Sequence, residues 1–129
     1  LARLASASPA VRVDTLGKTT QGRPFVVATI SSPDNIRNLA AIRQRQARLA
    51  DPRGLSAGEE ARLVATQPAV VLISCNIHAT EIASSQMAME LAHRLATNDT
   101  LQQALRDVVV LLVPSMNPDG QQMVTEWYR

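Results

Sequence analysis

Aromatic side chains are almost absent, with one Trp, one Tyr and one Phe among 129 residues. A core must therefore be built from Val, Leu, Ile, Ala and Met. The stacking platforms on which single-stranded nucleic acids are held are largely missing too. Cysteine is as scarce: Cys75 is the only one, which excludes a disulfide framework and a thiolate zinc site. It lies in an apolar run, where a cysteine is expected to act as a small buried hydrophobe. No segment approaches the roughly 20 apolar residues of a membrane-spanning helix. No signal-peptide pattern and no initiating methionine precede the first element, so the chain is expected to be a section of something longer. Neither a Gly-x-Gly-x-x-Gly nor a phosphate loop ending in Gly-Lys-Ser/Thr is present, which argues against those modes of nucleotide binding. A Gly-x-Ser-x-Gly elbow is also missing, and neither histidine is paired with an evident nucleophile.

What is there describes a soluble globular chain. Hydrophobic residues make up 46% and charged residues 19%, enough apolar material for one domain with a real core. Thirteen basic and eleven acidic residues leave a net charge of +2. Basic residues are densest over 37–48. Such a helix can meet nucleic acid or an anionic membrane, but the balanced charge elsewhere favours a solvated helix face. No nucleic-acid partner is expected.

Residues 11–16 alternate with a period near two, and 25–30 form a second β-prone run. The turn-rich stretch 17–24 between them predicts an antiparallel pair. Ser31-Ser32-Pro33-Asp34 offers helix-start chemistry, and 35–50 carry an apolar stripe of Ile36, Leu39, Ala40, Ile42 and Leu49. Asp51-Pro52-Arg53-Gly54 breaks it. Ser56 followed by Glu59 fits a capping box for a short helix to about residue 65. Residues 69–75 and 108–113 are apolar without alternation, so each is expected to be a strand buried on both faces, as in a parallel sheet covered by helices. Between them, 81–97 form a helix with Ala83, Met87, Leu91 and Leu95 in a packing stripe flanked by Ala88 and Ala92. Thr100 and Gln103 suggest a capping box for another short helix. Asn98-Asp99-Thr100 reads formally as a glycosylation sequon, although it coincides with a helix cap. The fold class is α/β: a mixed sheet with an antiparallel N-terminal hairpin and central parallel strands flanked by helices.

In open α/β sheets, ligands bind beyond the C-terminal ends of the strands. The first apolar strand runs into Asn76-Ile77-His78-Ala79-Thr80-Glu81 and the second into Pro114-Ser115-Met116-Asn117-Pro118-Asp119-Gly120. If the strands are parallel neighbours, both loops open on one edge of the sheet. Imidazole nitrogen and carboxylate oxygen both suit zinc at roughly 2.0–2.2 Å, and His78 and Glu81, separated by two residues, can aim at one point. Thr80 is placed to cap the following helix, with Glu81 in its first turn, where the helix dipole favours an ionised carboxylate. A His-x-x-Glu pair by itself is a weak motif, and ordinary loop or capping contacts produce it as well. Its place at a strand end strengthens the metal reading without excluding the other. Glu90-x-x-His93 has the spacing of di-iron carboxylate helices. No partner helix carries matching ligands, and His93 is expected to face solvent.

Three segments together resemble the zinc carboxypeptidase A family. Leu16-Gly17-Lys18-Thr19-Thr20-Gln21-Gly22-Arg23-Pro24 is similar to its early hairpin. Ile77-His78-Ala79-Thr80-Glu81 is similar to its metal-binding His-x-x-Glu. Asn117-Pro118-Asp119-Gly120 matches its loop after the next strand. The resemblance spans nearly the whole chain, and implies that residues 1–129 form the N-terminal part of a zinc exopeptidase-like catalytic domain, with a helical insertion at about 35–67.

By that resemblance the protein is a zinc metallocarboxypeptidase, hydrolysing peptide bonds at substrate C-termini through a metal-activated water. It implies one Zn2+ held by His78 and Glu81, with a third ligand and the general-base glutamate expected beyond Arg129. No catalytic residue is then expected within the chain, and the chain alone is expected to be inactive. Peptide or protein C-termini are the implied partners, and secretion or the periplasm is the implied location. Thr80 departs from digestive members, where an arginine precedes the ligand glutamate, so substrate handling is expected to differ. The alternatives are a related zinc deacylase of N-acyl amino acids and a non-catalytic binding or scaffold relative.

Overall fold

The β-branched residues of the first two strands pair as their alternation predicts. In a computed structural model that describes residues 1–129, β1 (Val11–Lys18) and β2 (Pro24–Ile30) are antiparallel, with Val11 opposite Ile30 and Thr15 opposite Val26. The hairpin is longer than the alternation implied. A register shift between Thr15 and Gly17 lets Gly17 and Lys18 continue the strand to Phe25 and Pro24. The turn is then closed by Thr19 N–H to the Arg23 carbonyl (2.8 Å). Gly22 takes a φ of 79°, in the left-handed region that glycine enters at little steric cost.

The four strands form one sheet in the order β1-β2-β4-β3. Here β3 is Ala69–Ser74 and β4 is Val108–Val113. They run parallel, in register from Ala69 opposite Val108 to Ser74 opposite Val113, while β2 meets β4 antiparallel. Two helices separate β3 from β4: α5 (Ile82–Thr97) and α6 (Asp99–Ala104). The sheet is thus mixed and flanked by helices, as expected.

Both faces of β4 are covered, which explains its unbroken apolar run. Val110 and Leu112 join Ala28, Ile30 and Cys75 in the main core beneath α5. On the other face Val109 and Leu111 lie beneath α3 (Leu39–Ala50), which buries Ile42 and shares a groove with them. Cys75 is buried, and burial pushes its thiol pKa up. The strand β3 overturns the expectation of burial on both faces: it is an edge strand, and Leu72 is 65% exposed. An apolar run records which residues shun water but not what covers the strand, and here no helix packs closely over β3.

Other helices depart from the pattern in detail. The helix expected over 35–50 is divided into α2 (Pro33–Arg37) and α3, with Asn38 as the junction. Ser32 caps α2 by accepting from Asn35 N–H, with Pro33 in the first turn. Ser56 caps α4 (Ala57–Thr66) by accepting from Glu59 N–H (3.2 Å), while the Glu59 carboxylate turns to Arg48. Asn98, not Thr100, caps α6 by accepting from Leu101 N–H (3.0 Å). In α5 the buried positions are Ser85, Ala88 and Ala92, with Leu91 and Leu95 at the margin and Met87 exposed. Small residues bring this helix close to the sheet, so the stripe is centred on them rather than on Met87. Two helices were not anticipated. α1 (Ala2–Ala7) lays Leu4 and Ala5 against the core, and α7 (Pro118–Trp127) follows β4. No helix is long and apolar enough to cross a membrane.

The basic stretch is largely engaged on the surface. Arg37 pairs with Asp34, Arg45 donates to Gln67 (2.8 Å), and Arg48 donates to the Asp51 and Arg53 carbonyls.

Two leucines test this distribution of burial. Leu112→Ala empties a fully buried site and is expected to cost about 2–5 kcal/mol in urea unfolding. Leu72→Ala on the exposed edge should stay within about 0.5 kcal/mol. Equal losses would contradict the assignment of β3 to an open edge.

Candidate metal centre

Parallel pairing of β3 and β4 brings both strand ends to one edge of the sheet, and the backbone ladder continues past them. Cys75 N–H donates to the Val113 carbonyl (3.0 Å) and Met116 N–H to the Cys75 carbonyl (2.8 Å). At Asn76 the chain enters the left-handed region, with φ 53°, the only non-glycine residue to do so. Asparagine tolerates this conformation better than most residues. The chain then turns through Ile77-His78-Ala79-Thr80, closed by Glu81 N–H to the His78 carbonyl (3.0 Å).

His78 and Glu81 are brought together by that turn. His78 Nδ1 lies 2.7 Å from Glu81 Oε1, and His78 N–H donates to Glu81 Oε2 (3.0 Å). Both side chains are open to solvent, at 76% and 45% exposure. The His78 ring, and after it the His78 amide, hold the Glu81 carboxyl below its ordinary pKa. Thr80 does not cap α5 as expected. Glu81 occupies the cap position, just outside the first turn, and makes no side-chain cap because both its oxygens serve His78. Ser84 ties the helix start instead, donating to the Glu81 carbonyl (2.7 Å) and accepting from Asn76 N–H (3.0 Å).

The pair fits a divalent metal in donor type and direction. Two ligands on a tetrahedral zinc stand roughly 3.3–3.6 Å apart, given bonds near 2.0–2.2 Å. The nitrogen and oxygen would separate by somewhat under 1 Å from their present contact, a small movement for two exposed side chains. No third His, Cys, Asp or Glu joins the pair, and no cluster of three such groups exists in the chain. Catalytic zinc sites use three protein ligands plus water, and this pair supplies two donors of the required type. His93 is exposed on α5, and Glu90 pairs with Arg94 (2.7 Å) rather than with it.

The loop after β4 supports the pair from below. Asn117 caps α7 by accepting from Gly120 N–H (2.9 Å), and its amide donates to the Ile77 carbonyl (3.4 Å). A Cβ at Gly120 would lie 2.6 Å from Asn117 Nδ2 and 2.9 Å from the Ala79 Cβ. Glycine at 120 is therefore what lets α7 approach the His78–Glu81 turn. Asp119 faces the other way, onto the hairpin turn. Its carboxylate accepts from Thr19 Oγ1 (2.7 Å), Gln21 N–H (3.0 Å) and Arg23 Nη1 (3.0 Å). The Thr19 hydroxyl foremost, then the Gln21 amide and Arg23, keep its carboxyl below the usual range. Between the hairpin and this loop lies a cleft of about 410 Å³ lined by Lys18, Phe25, Met116 and Asn117, among others.

The family model for zinc carboxypeptidases matches residues 1–129. The chain belongs to the zinc carboxypeptidase family. Among solved structures, a Shewanella denitrificans protein named for carboxypeptidase A is similar with a TM-score of 0.60 and 20% identity, over 91% of this chain and 24% of that one. A metallo-carboxypeptidase from Burkholderia cenocepacia follows at 0.58 and 24%, covering 92% and 26%. Thrombin activatable fibrinolysis inhibitor is similar at 0.53 and 14%, covering 92% and 23%. These likenesses establish a shared fold, and the chain spans about a quarter of the length of each of these structures. No curated protein sequence matches it. As a zinc carboxypeptidase family member, the chain has the mixed sheet and the strand-end loops that the resemblance implied.

Several supporting residues escape sequence reasoning. Asn76 reads locally as the end of a strand, although an asparagine closing an apolar run is a signal for left-handed backbone. Asp119 and Gly120 are legible only as parts of a motif, because their partners lie about 100 and 40 residues away in sequence.

Gly120→Ala is expected to displace Asn117 from its cap, at about 0.5–2 kcal/mol, and to shift the amide resonances of residues 77–81. Unchanged resonances there would refute the close approach. For Asp119, whose folded pKa lies below the unfolded value of about 3.9, the stabilising contribution is fully present above that value. It is lost as pH falls through the depressed folded pKa. Asp119→Asn should accordingly weaken the acid dependence of the Thr19 and Gln21 amide signals between about pH 4 and pH 2. A titration identical to the parent's would remove Asp119 as the clamp.

Proposed function

We propose that this chain carries part of the zinc site of a metallocarboxypeptidase, with His78 and Glu81 as two protein ligands to one ion. The supporting observation is the meeting of His78 Nδ1 and Glu81 Oε1 at 2.7 Å beyond the C-terminal end of β3, in a chain of the zinc carboxypeptidase family. A bound zinc ion supplies a Lewis acid that polarises a peptide carbonyl and makes water acidic near neutral pH. His78 would offer an imidazole nitrogen and Glu81 an ionised carboxylate oxygen. An exposed glutamate is ionised at neutral pH, and the His78 ring and amide hold its pKa lower still.

The substrates proposed are peptide or protein C-termini, and the parent enzyme is proposed to be secreted or periplasmic, as the family resemblance implies. A general base has no candidate in this chain, since no third acidic or histidine side chain stands at the pair. The third ligand is likewise proposed to come from outside these residues. Residues 35–67 are read as an insertion that forms an outer layer. In this reading α3 shields the sheet face of Val109 and Leu111, and α4 packs on α3. Thr80 leaves no cation at the position next to Glu81, so carbonyl polarisation from that position is not part of the mechanism proposed.

Metal analysis of the purified parent protein tests the assignment. One zinc per chain is expected, with loss of most of it in His78→Ala and in Glu81→Ala; retention of zinc in both variants would sink it. The 129-residue chain alone is expected to hydrolyse none of a panel of short peptides. Zinc-dependent turnover by that chain would show that two ligands suffice, against this proposal.

A further inference from the structure

Asn76 is 2% exposed, among the largest fully buried side chains, and stands two residues before His78. Each of its donors and acceptors reaches a different element. Its N–H donates to Ser84 Oγ at the start of α5 (3.0 Å). Its Nδ2 donates to the His78 carbonyl (3.1 Å), and its Oδ1 accepts from Ser115 Oγ in the loop after β4 (2.8 Å). Ser84 in turn donates to the Glu81 carbonyl (2.7 Å). The peptide groups of both proposed ligands are therefore held, directly or through one hydroxyl, by one buried residue.

We infer that Asn76 is a positioning residue, which sets the separation and aim of His78 and Glu81 without touching the ion. This rests on the metal reading given above. The chemistry suits the task. The ligands themselves are exposed, so the backbone beneath them carries much of their shared direction, and buried hydrogen bonds are hard to exchange for water. A left-handed turn alone would be served at least as well by glycine, which enters that region without strain. The amide side chain adds what glycine lacks: a donor to His78 and an acceptor for Ser115, oriented oppositely on one rigid plane. Partners behind metal ligands commonly alter affinity by about 10–100-fold when removed.

Asn76→Gly keeps the φ and removes both side-chain bonds. Zinc titration against a chromophoric chelator, on the parent protein, is expected to show a loss of affinity of about tenfold or more. Amide exchange in the metal-free protein gives a readout independent of metal. The His78 and Glu81 amides should lose protection while those of β4 keep theirs. Ser115→Ala, which leaves Asn76 in place but frees its Oδ1, should move both readouts in the same direction by less, and guards against misfolding of the glycine variant. His78→Ala is the control for the underlying reading. If it binds zinc as the parent does, the metal assignment falls and the positioning role with it. If His78→Ala weakens binding while Asn76→Gly and Ser115→Ala leave affinity and protection unchanged, the metal assignment stands and the role of Asn76 is overturned.

Discussion

The parallel ladder between β3 and β4 is the constraint on which the rest of this molecule depends. Parallel neighbours cannot be joined by a hairpin, so the chain must leave the sheet and return, and α5 with α6 makes that crossover. The same pairing sends both strand ends to one edge. The turn carrying His78 and Glu81 and the start of α7 must then meet there, and they do so through Asn76, Ser115, Asn117 and Gly120. Antiparallel pairing of these two strands would place the loops at opposite edges, and none of those contacts would form.

Around that ladder the division of labour follows from burial. The core beneath α5 is made of aliphatic residues brought close by Ala88 and Ala92, both fully buried. Polar groups that burial takes from water are paired: no buried side-chain nitrogen or oxygen lacks a partner. Asn76 is the clearest instance, since its amide would be costly to bury unsatisfied. The groups proposed as metal ligands are left outside. His78 and Glu81 stand in solvent on a turn whose supports are buried, which combines access with a defined geometry.

The chain belongs to the zinc carboxypeptidase family. The chain spans about a quarter of the solved structures it resembles. It contains an exposed edge strand and a pair of ligand-type residues without a third. The hairpin turn is already joined to this edge through Asp119, whose carboxylate meets Thr19, Gln21 and Arg23. The segments that carry the family resemblance at residues 16–24 and 117–120 are therefore in contact, although about 100 residues separate them.

The sequence by itself determined the hairpin, the two apolar strands, the intervening helix and the mixed α/β class, because these follow from local periodicity and turn chemistry. It also singled out His78 and Glu81, since their spacing and their place after a strand are local facts. Only the tertiary structure decided that β3 lies at an edge, that α5 packs on its small residues, and that Glu81 rather than Thr80 sits at the cap position. It alone brought Asn76, Asp119 and Gly120 to their partners. The physical reason is the range of the interactions. Propensity and periodicity act over a few residues, whereas exposure of Leu72 depends on whether a helix from elsewhere in the chain covers the faces of β3. Asn76 is understood only when Ser115, 39 residues away, has been brought against it.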